Sequence, residues 1–391
     1  MGDAMNVVTR TSTSWFSRLG GALTGAIFGF ILVIVAIVAL LWNEGRSVAT
    51  YESLVEGQSI VVSTDAARID PALDGKLVHI ESGVVPEADV VDPDTGISAS
   101  GVIGLARKVE MYQWVEEKSS KTEKKLGGGE ETVTTYTYSR EWSGDAQDSS
   151  KFQESAGHEN PEFWLPSTET LVETAKLGAF SVEGSQIASA GTRQALPITA
   201  ETAAEASEAL GYPGEGRAVT QALYFGADEK APEVGDTRIR FEKIVLPEVS
   251  VVAMQRGDRL AEYTTENGYT LFLLAAGRET SDKMFADSQT ENVILTWVIR
   301  AAGILGLFVG FALILRIFSV IGDVIPFVGT LIGFGTGLIS FVLAIAVGVT
   351  VIAIGWFAVR PLLSIGLIVG VVAIIWAYSR YVRKQTAQPA A

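Results

Sequence analysis

The stretch that decides the architecture is LGGALTGAIFGFILVIVAIVALLWN, Leu19–Asn43, 25 consecutive residues without a charge. A helix needs about 20 apolar residues to cross a hydrocarbon core. No comparable stretch recurs until Val293–Ser379, where only Arg300, Arg316, Asp323 and Arg360 interrupt the apolar sequence. The pattern predicts an integral membrane protein with a large polar segment between its apolar ends. The first stretch is longer than the 7–15 residues usual for the apolar region of a signal peptide and lacks a clear small-x-small site before Asn43, so it reads as an uncleaved anchor.

The 391 residues carry a formal charge of −15. Residues 1–42 and 293–391 hold 8 of the 30 basic and 2 of the 45 acidic residues, leaving −21 for residues 43–292. Roughly 250 residues suffice for a core of their own. Their charge repels phosphate backbones and anionic headgroups, and no nucleic-acid partner is expected. With no cysteine in the chain, disulfides, thiolate nucleophiles and cysteine-ligated metals are excluded.

Arg10 and Arg18 precede the first apolar stretch, and Arg380, Arg383 and Lys384 follow the last. The positive-inside rule therefore predicts both termini in the cytosol and an even number of spans. The expected organisation is a cytosolic segment 1–18, a first span 19–42, an extracytosolic domain 43–292 and a second span 293–315. An interfacial or re-entrant segment 316–337, a third span 338–359, a fourth span 362–379 and a cytosolic tail 380–391 follow. Arg300, two turns into the second span, is expected to snorkel out or find a carboxylate. From Val324 to Val359 there are 36 uncharged residues, too many for one straight span, and Asp323, Pro326 and five glycines mark the break. Three spans plus a hairpin is the rival count. Trp15, Trp42, Trp297, Trp356 and Trp376 fall at predicted span ends, as in an interfacial aromatic belt.

The fold class expected is four transmembrane α-helices plus a β-rich α+β domain inserted between the first and second. Glycines recur every four residues: Gly21, Gly25 and Gly29; Gly306 and Gly310; Gly329, Gly333 and Gly337; Gly366 and Gly370. Such spacing lines one helix face and lets another backbone approach, either within one bundle or between copies. In the domain, Lys108–Lys118 alternates faces and is followed across a Gly127–Gly129 tip by Thr132–Trp142, a long hairpin with a mobile end. Thr237–Leu246, Val249–Gln255, Leu260–Thr264 and Tyr269–Ala275 form an antiparallel series with a turn at Asn267-Gly268. Helices are expected at Thr168–Leu177, Glu201–Leu210 and Ser281–Asn292, and Ser181–Gly216 is expected to be flexible.

Little catalytic chemistry is legible. His79 and His158 are too few for a histidine-rich metal site, and a satisfied core or solvated histidine is the plainer reading. Nucleophile-elbow, Walker and dinucleotide signatures are absent from the sequence, and Glu130 and Glu131 would repel phosphate from the Gly127–Gly129 run. No catalytic, cofactor or metal residues are assigned. Arg256-Gly257-Asp258 is explained by turn chemistry. Asp323, beside the third span, is a candidate ion-path residue or a helix cap.

Several segments resemble the LUMA family (transmembrane protein 43): Asn43-Glu-Gly-Arg46, Val109-Glu-Met-Tyr-Gln-Trp-Val-Glu116, Tyr136-Thr-Tyr-Ser139 with Glu141-Trp142, and Gly157-His-Glu-Asn-Pro161. Pro232-Glu-Val-Gly-Asp236, Gln255-Arg-Gly-Asp258 and Thr296-Trp-Val-Ile-Arg-Ala-Ala-Gly303 continue the likeness in order. The resemblance implies a four-span protein with a large lumenal loop, self-association, and, in animals, residence in the endoplasmic reticulum and inner nuclear membrane with lamin and emerin partners. The alanine- and valine-rich, cysteine-free composition points instead to a bacterial inner membrane, where those partners do not transfer. The expected function is a non-enzymatic membrane scaffold that contacts lipid, forms a homo-oligomer and organises other membrane or envelope proteins. The alternative is a channel or transport component using Asp323 and its glycine-rich neighbourhood.

Overall fold

A computed structural model describes residues 6–211, 216–219, 221–357, 365–366, 369–376, 378 and 380. The chain divides into two compact units: residues 1–9, 53–119 and 134–287, and residues 10–52, 120–133 and 288–391. The principal strands are β1 (Asn6–Thr13), β2 (Leu77–Pro86), β3 (Gly104–Lys124), β4 (Glu130–Ser143), β5 (Thr174–Leu177), β6 (Phe180–Glu183), β7 (Ala222–Phe225), β8 (Thr237–Val245), β9 (Glu248–Arg256) and β10 (Arg259–Ala261). The principal helices are α1 (Trp15–Ile60), α2 (Ala200–Leu210), α3 (Ser281–Gly322) and α4 (Pro326–Phe357).

The first unit contains a closed five-stranded barrel. β9 pairs with β2 and β10, β10 with β6, β6 with β5, and β5 returns to β2, so the ring has no free edge among its five strands. Alternation decides what faces inward: Val249, Val251 and Ala253 of β9, Val78 and Ile80 of β2, and Leu177 and Phe180 all enter one core. Val252, on the opposite face of β9, packs with Leu54, Leu77, Leu271, Met284 and Phe285. A second sheet runs β1-β4-β3-β8-β7 and is extended by Arg217–Val219. Val109 and Met111 of β3, opposite Ile239 and Thr237 of β8, are buried as their alternation predicts. The turn between Gly257 and β10 confirms turn chemistry at Arg256-Gly257-Asp258, with Gly257 at φ +62° donating its N–H to Asp74 Oδ1 at 2.7 Å.

Two expectations for this unit are corrected. Thr168–Leu177 is two strands, Thr168–Leu171 and β5, because Arg107 and its neighbours on β3 and the edge of β2 each offer a ladder to pair with. Ser181–Gly216 contains β6, a strand at Thr192–Leu196 paired with β8, and α2 closed by Gly211 at φ +58°; its residues 212–215 lie outside those described.

Among the described residues of the second unit, three helices are long and apolar enough to cross a membrane. α1 and α3 run antiparallel, and Gly25 meets Leu313, Gly29 meets Gly310, Ala36 meets Gly306 and Leu40 meets Gly303 in one continuous register. A Cβ on Gly29 would stand 2.6 Å from the Gly310 carbonyl oxygen, so glycine is what permits this approach. Val33, Ala36, Leu40, Leu307, Ala344 and Val351 form the interior of the bundle. Its outside is apolar: Phe28, Val35, Leu331, Phe334 and Leu338 are exposed, as hydrocarbon surroundings require.

The segment expected to be interfacial or re-entrant, 316–337, comprises the end of α3, a turn at 323–325 and the first turns of α4, which starts on Pro326 as helices favour. Of the predicted fourth span, 362–379, residues 365–366, 369–376 and 378 are described and are helical; the rest lies outside the described residues. The tail 381–391 lies outside them as well. A further difference concerns the hairpin between β3 and β4. Its tip, residues 120–133, belongs to the helical unit, although 43–292 was expected to form one extracytosolic domain.

Candidate functional site: two buried polar clusters in the helical unit

The first cluster joins two of the segments quoted above. Asn43 and Arg46 lie three residues apart on one face of α1, and Asn292, Thr296 and Arg300 lie at four-residue spacing on one face of α3. Glu44 receives Arg300 in a bidentate pair, Nε to Oε1 at 2.7 Å and Nη2 to Oε2 at 2.6 Å. Trp356 of α4 donates its indole N–H to the same Oε2. The guanidinium is stacked at 4.9 Å from the Trp297 ring centroid and 4.8 Å from that of Trp356. Glu44 is 1% and Arg300 5% exposed, so each charge is tolerable only because the other is there. Gly355 makes room: a Cβ there would lie 2.7 Å from that of Glu44. Next to the pair, Asn43 Nδ2 donates to the Thr296 carbonyl at 3.2 Å. Arg46 donates to Asn292 Oδ1 at 3.1 Å, Asn43 Oδ1 at 3.2 Å and Thr296 Oγ1 at 3.1 Å. A cavity of about 390 Å³ opens beside these groups, lined among others by Tyr51, Glu52, Trp297, Arg300 and Trp356.

The second cluster surrounds Asp323, which is 1% exposed. Its Oδ2 lies 2.5 Å from Arg18 Nη2 and its Oδ1 2.6 Å from Lys124 Nζ. Arg18 also reaches Glu130 Oε1 at 2.8 Å and donates to the Gly128 carbonyl at 2.5 Å. Two cations and two carboxylates thus balance. Trp15 donates to the Val320 carbonyl at 2.8 Å, and the Gly127 N–H to that of Val324 at 3.2 Å. Gly127 and Gly128 adopt φ of +86° and +80°, and a Cβ on Gly128 would stand 2.3 Å from Trp15 Cδ1. Glycine is therefore dictated twice over at the hairpin tip. A Cβ at Gly329 would fall 1.7 Å from Asp323 Oδ1.

The sequence-predicted residues distribute as follows. Gly25, Gly29, Gly306 and Gly310 pack α1 against α3, and Gly329 and Gly333 face the end of α3 at Asp323 and Ser319. Gly21, Gly337, Gly366 and Gly370 face open space among the described residues. Asp323, the candidate ion-path residue, has one oxygen paired with Arg18 and the other with Lys124. His79 donates from Nε2 to the Glu279 carbonyl and shares a hydrogen bond through Nδ1 with Ser63 Oγ, and His158 stacks 4.0 Å from Tyr138 and donates from Nδ1 to the Glu154 carbonyl. Among the described residues, no group of three or more His, Asp or Glu is arranged to hold a metal. Sequence reasoning missed Glu44, Arg18 and Lys124. The signal for Glu44 was there: an arginine two turns inside an apolar run demands a carboxylate, and the glycine register pairs residue 44 with residue 300.

Three long apolar helices among the described residues, tied by buried ion pairs, with a β-rich barrel-containing domain, define an integral membrane protein. The chain belongs to the transmembrane protein 43 family, whose model matches residues 111–361. It is 31% identical to "Transmembrane protein 43" of Pongo abelii over 98% of this chain and 96% of that protein. It is 30% identical to the protein of that name in Mus musculus over 92% and 90%, and 28% identical to the Drosophila melanogaster homolog over 90% and 93%. No solved structure matches.

Proposed function

We propose that the chain is a non-enzymatic membrane scaffold that self-associates within the bilayer and organises other membrane or envelope proteins. The observation that carries this reading is the division of labour among the glycines. Those at 25, 29, 306 and 310 are spent on packing the chain's own helices, whereas a Cβ on Gly21 or Gly337 would meet no other atom among the described residues. The Glu44–Arg300 pair and the cluster around Asp323 have their charges matched internally, which supports a role as fixed ties and speaks against Asp323 as an ion carrier. The cysteine-free composition supports a bacterial membrane as the site of action. Size measurement of the full chain in mild detergent tests the proposal: a discrete oligomer is expected, reduced to monomer by Gly337→Leu. A strictly monomeric wild type removes it.

A further inference from the structure

We propose that the cavity beside Glu44 and Arg300 binds the headgroup of one zwitterionic phospholipid, its ammonium held by aromatic faces and Glu52. The cavity lies where the uncharged run of α1 ends and that of α3 begins, the depth at which headgroups sit. Its volume of about 390 Å³ falls within the ~300–1,000 Å³ usual for small-ligand sites. Three rings line it, Tyr51, Trp297 and Trp356, and aromatic faces beside a carboxylate are the recurrent recognition device for alkylammonium groups.

Charge chooses the headgroup. The Arg300 guanidinium is consumed by the bidentate pair with Glu44, so it offers little to an anion. Glu52, exposed on the same wall, has no cation partner among the described residues. The lining thus carries one net negative charge, that of Glu52. Arg46, bonded to Asn292 and Thr296 of that lining, is held only by amide and hydroxyl oxygens; no carboxylate pairs with it among the described residues. An unmatched carboxylate and an unmatched guanidinium in one neighbourhood complement a zwitterion. A purely anionic headgroup would meet Glu52.

The test is native mass spectrometry of the full chain, delipidated in mild detergent and offered equal amounts of phosphatidylcholine, phosphatidylethanolamine and phosphatidylglycerol with identical acyl chains. One choline or ethanolamine lipid per chain should be retained in preference to phosphatidylglycerol. Glu52→Gln, at an exposed position that leaves the fold intact, should weaken that retention about tenfold. Trp297→Phe should keep the preference and Trp297→Ala lose it. Equal retention of phosphatidylglycerol, or a Glu52→Gln protein with undiminished preference, overturns the proposal.

Discussion

Arg18 and Asp323, 305 residues apart in the chain, are bound as a buried ion pair with Nη2 and Oδ2 2.5 Å apart. Removing one member strands the other in a low-dielectric site, which costs about 3–5 kcal/mol, whereas replacing a whole buried ionic set by apolar groups is often neutral. Asp323→Asn is therefore expected to lower the thermal midpoint in detergent strongly. The fourfold change Arg18→Met, Lys124→Met, Glu130→Gln and Asp323→Leu, which removes every charge of the cluster, should recover most of the loss. An Asp323→Asn protein as stable as wild type would show that the pair is not formed.

The absence of cysteine makes the α1–α3 register directly testable. A Cβ built on Gly306 lies 3.4 Å from that of Ala36, at the lower edge of the roughly 3.5–4.5 Å range of disulfides. Ala36→Cys with Gly306→Cys should cross-link under mild oxidation in native membranes. Ala36→Cys with Gly303→Cys, one turn out of register, should cross-link far less.

The hairpin tip and the start of α1 must share one side of the membrane if Lys124, Glu130 and Arg18 meet as described. Leu126, 89% exposed, and Phe16, 77% exposed, are suitable reporters. Single variants Leu126→Cys and Phe16→Cys should react with an impermeant maleimide from the same face of sealed vesicles. Labelling from opposite faces would dissolve the Asp323 cluster and agree with an uninterrupted extracytosolic segment from 43 to 292.

Two titrations should bound the stability of the β-rich unit. Burial alone would raise the Glu110 carboxyl, but hydrogen bonds and charge from Arg238, then Arg240, outweigh it and hold the pKa below 4.5. The folded state therefore gives up this proton more readily than the unfolded one. Its contribution is present above about pH 4.5 and is lost as pH falls through the lowered folded value. Tyr138 is pushed up from 10.0 to about 12 by burial and then by its hydrogen bond to Glu116. Here the folded state keeps a proton that the unfolded state loses, so stability declines between pH 10.0 and about 12. Denaturation followed against pH should show Glu110→Gln flattening the acid limb and Tyr138→Phe the alkaline limb.

What could be read in the sequence was whatever local pattern dictates. The uncharged run from Leu19 yields a helix, the alternation in Lys108–Lys118 a strand, Asn267-Gly268 a turn, and Ser281–Asn292 a helix feeding the next span. What escaped depends on partners far away in the chain. Asn43-Glu-Gly-Arg46 looks like the exit from a helix, yet α1 continues to Ile60 because Thr296, Asn292 and Arg300 satisfy its polar groups. Thr168–Leu177 has apolar residues at helical spacing as well as alternating threonines, and only the waiting edges of β2 and β3 decide for strands. Asp323 stood out as an acid beside a span, but nothing local announces that its cations come from residue 18 and residue 124.

The Asp323 cluster also fixes an order of events during synthesis. Arg18 leaves the ribosome first, Lys124 second, and the aspartate that pairs with both emerges 199 residues after the lysine. At 5–20 residues per second that interval is about 10–40 s. Until then Glu130 can match only one of the two cations and the other awaits its counter-charge, so the earliest helix cannot reach its final setting before the late ones exist. A chain interrupted anywhere upstream of residue 323 would betray itself by those unmatched charges.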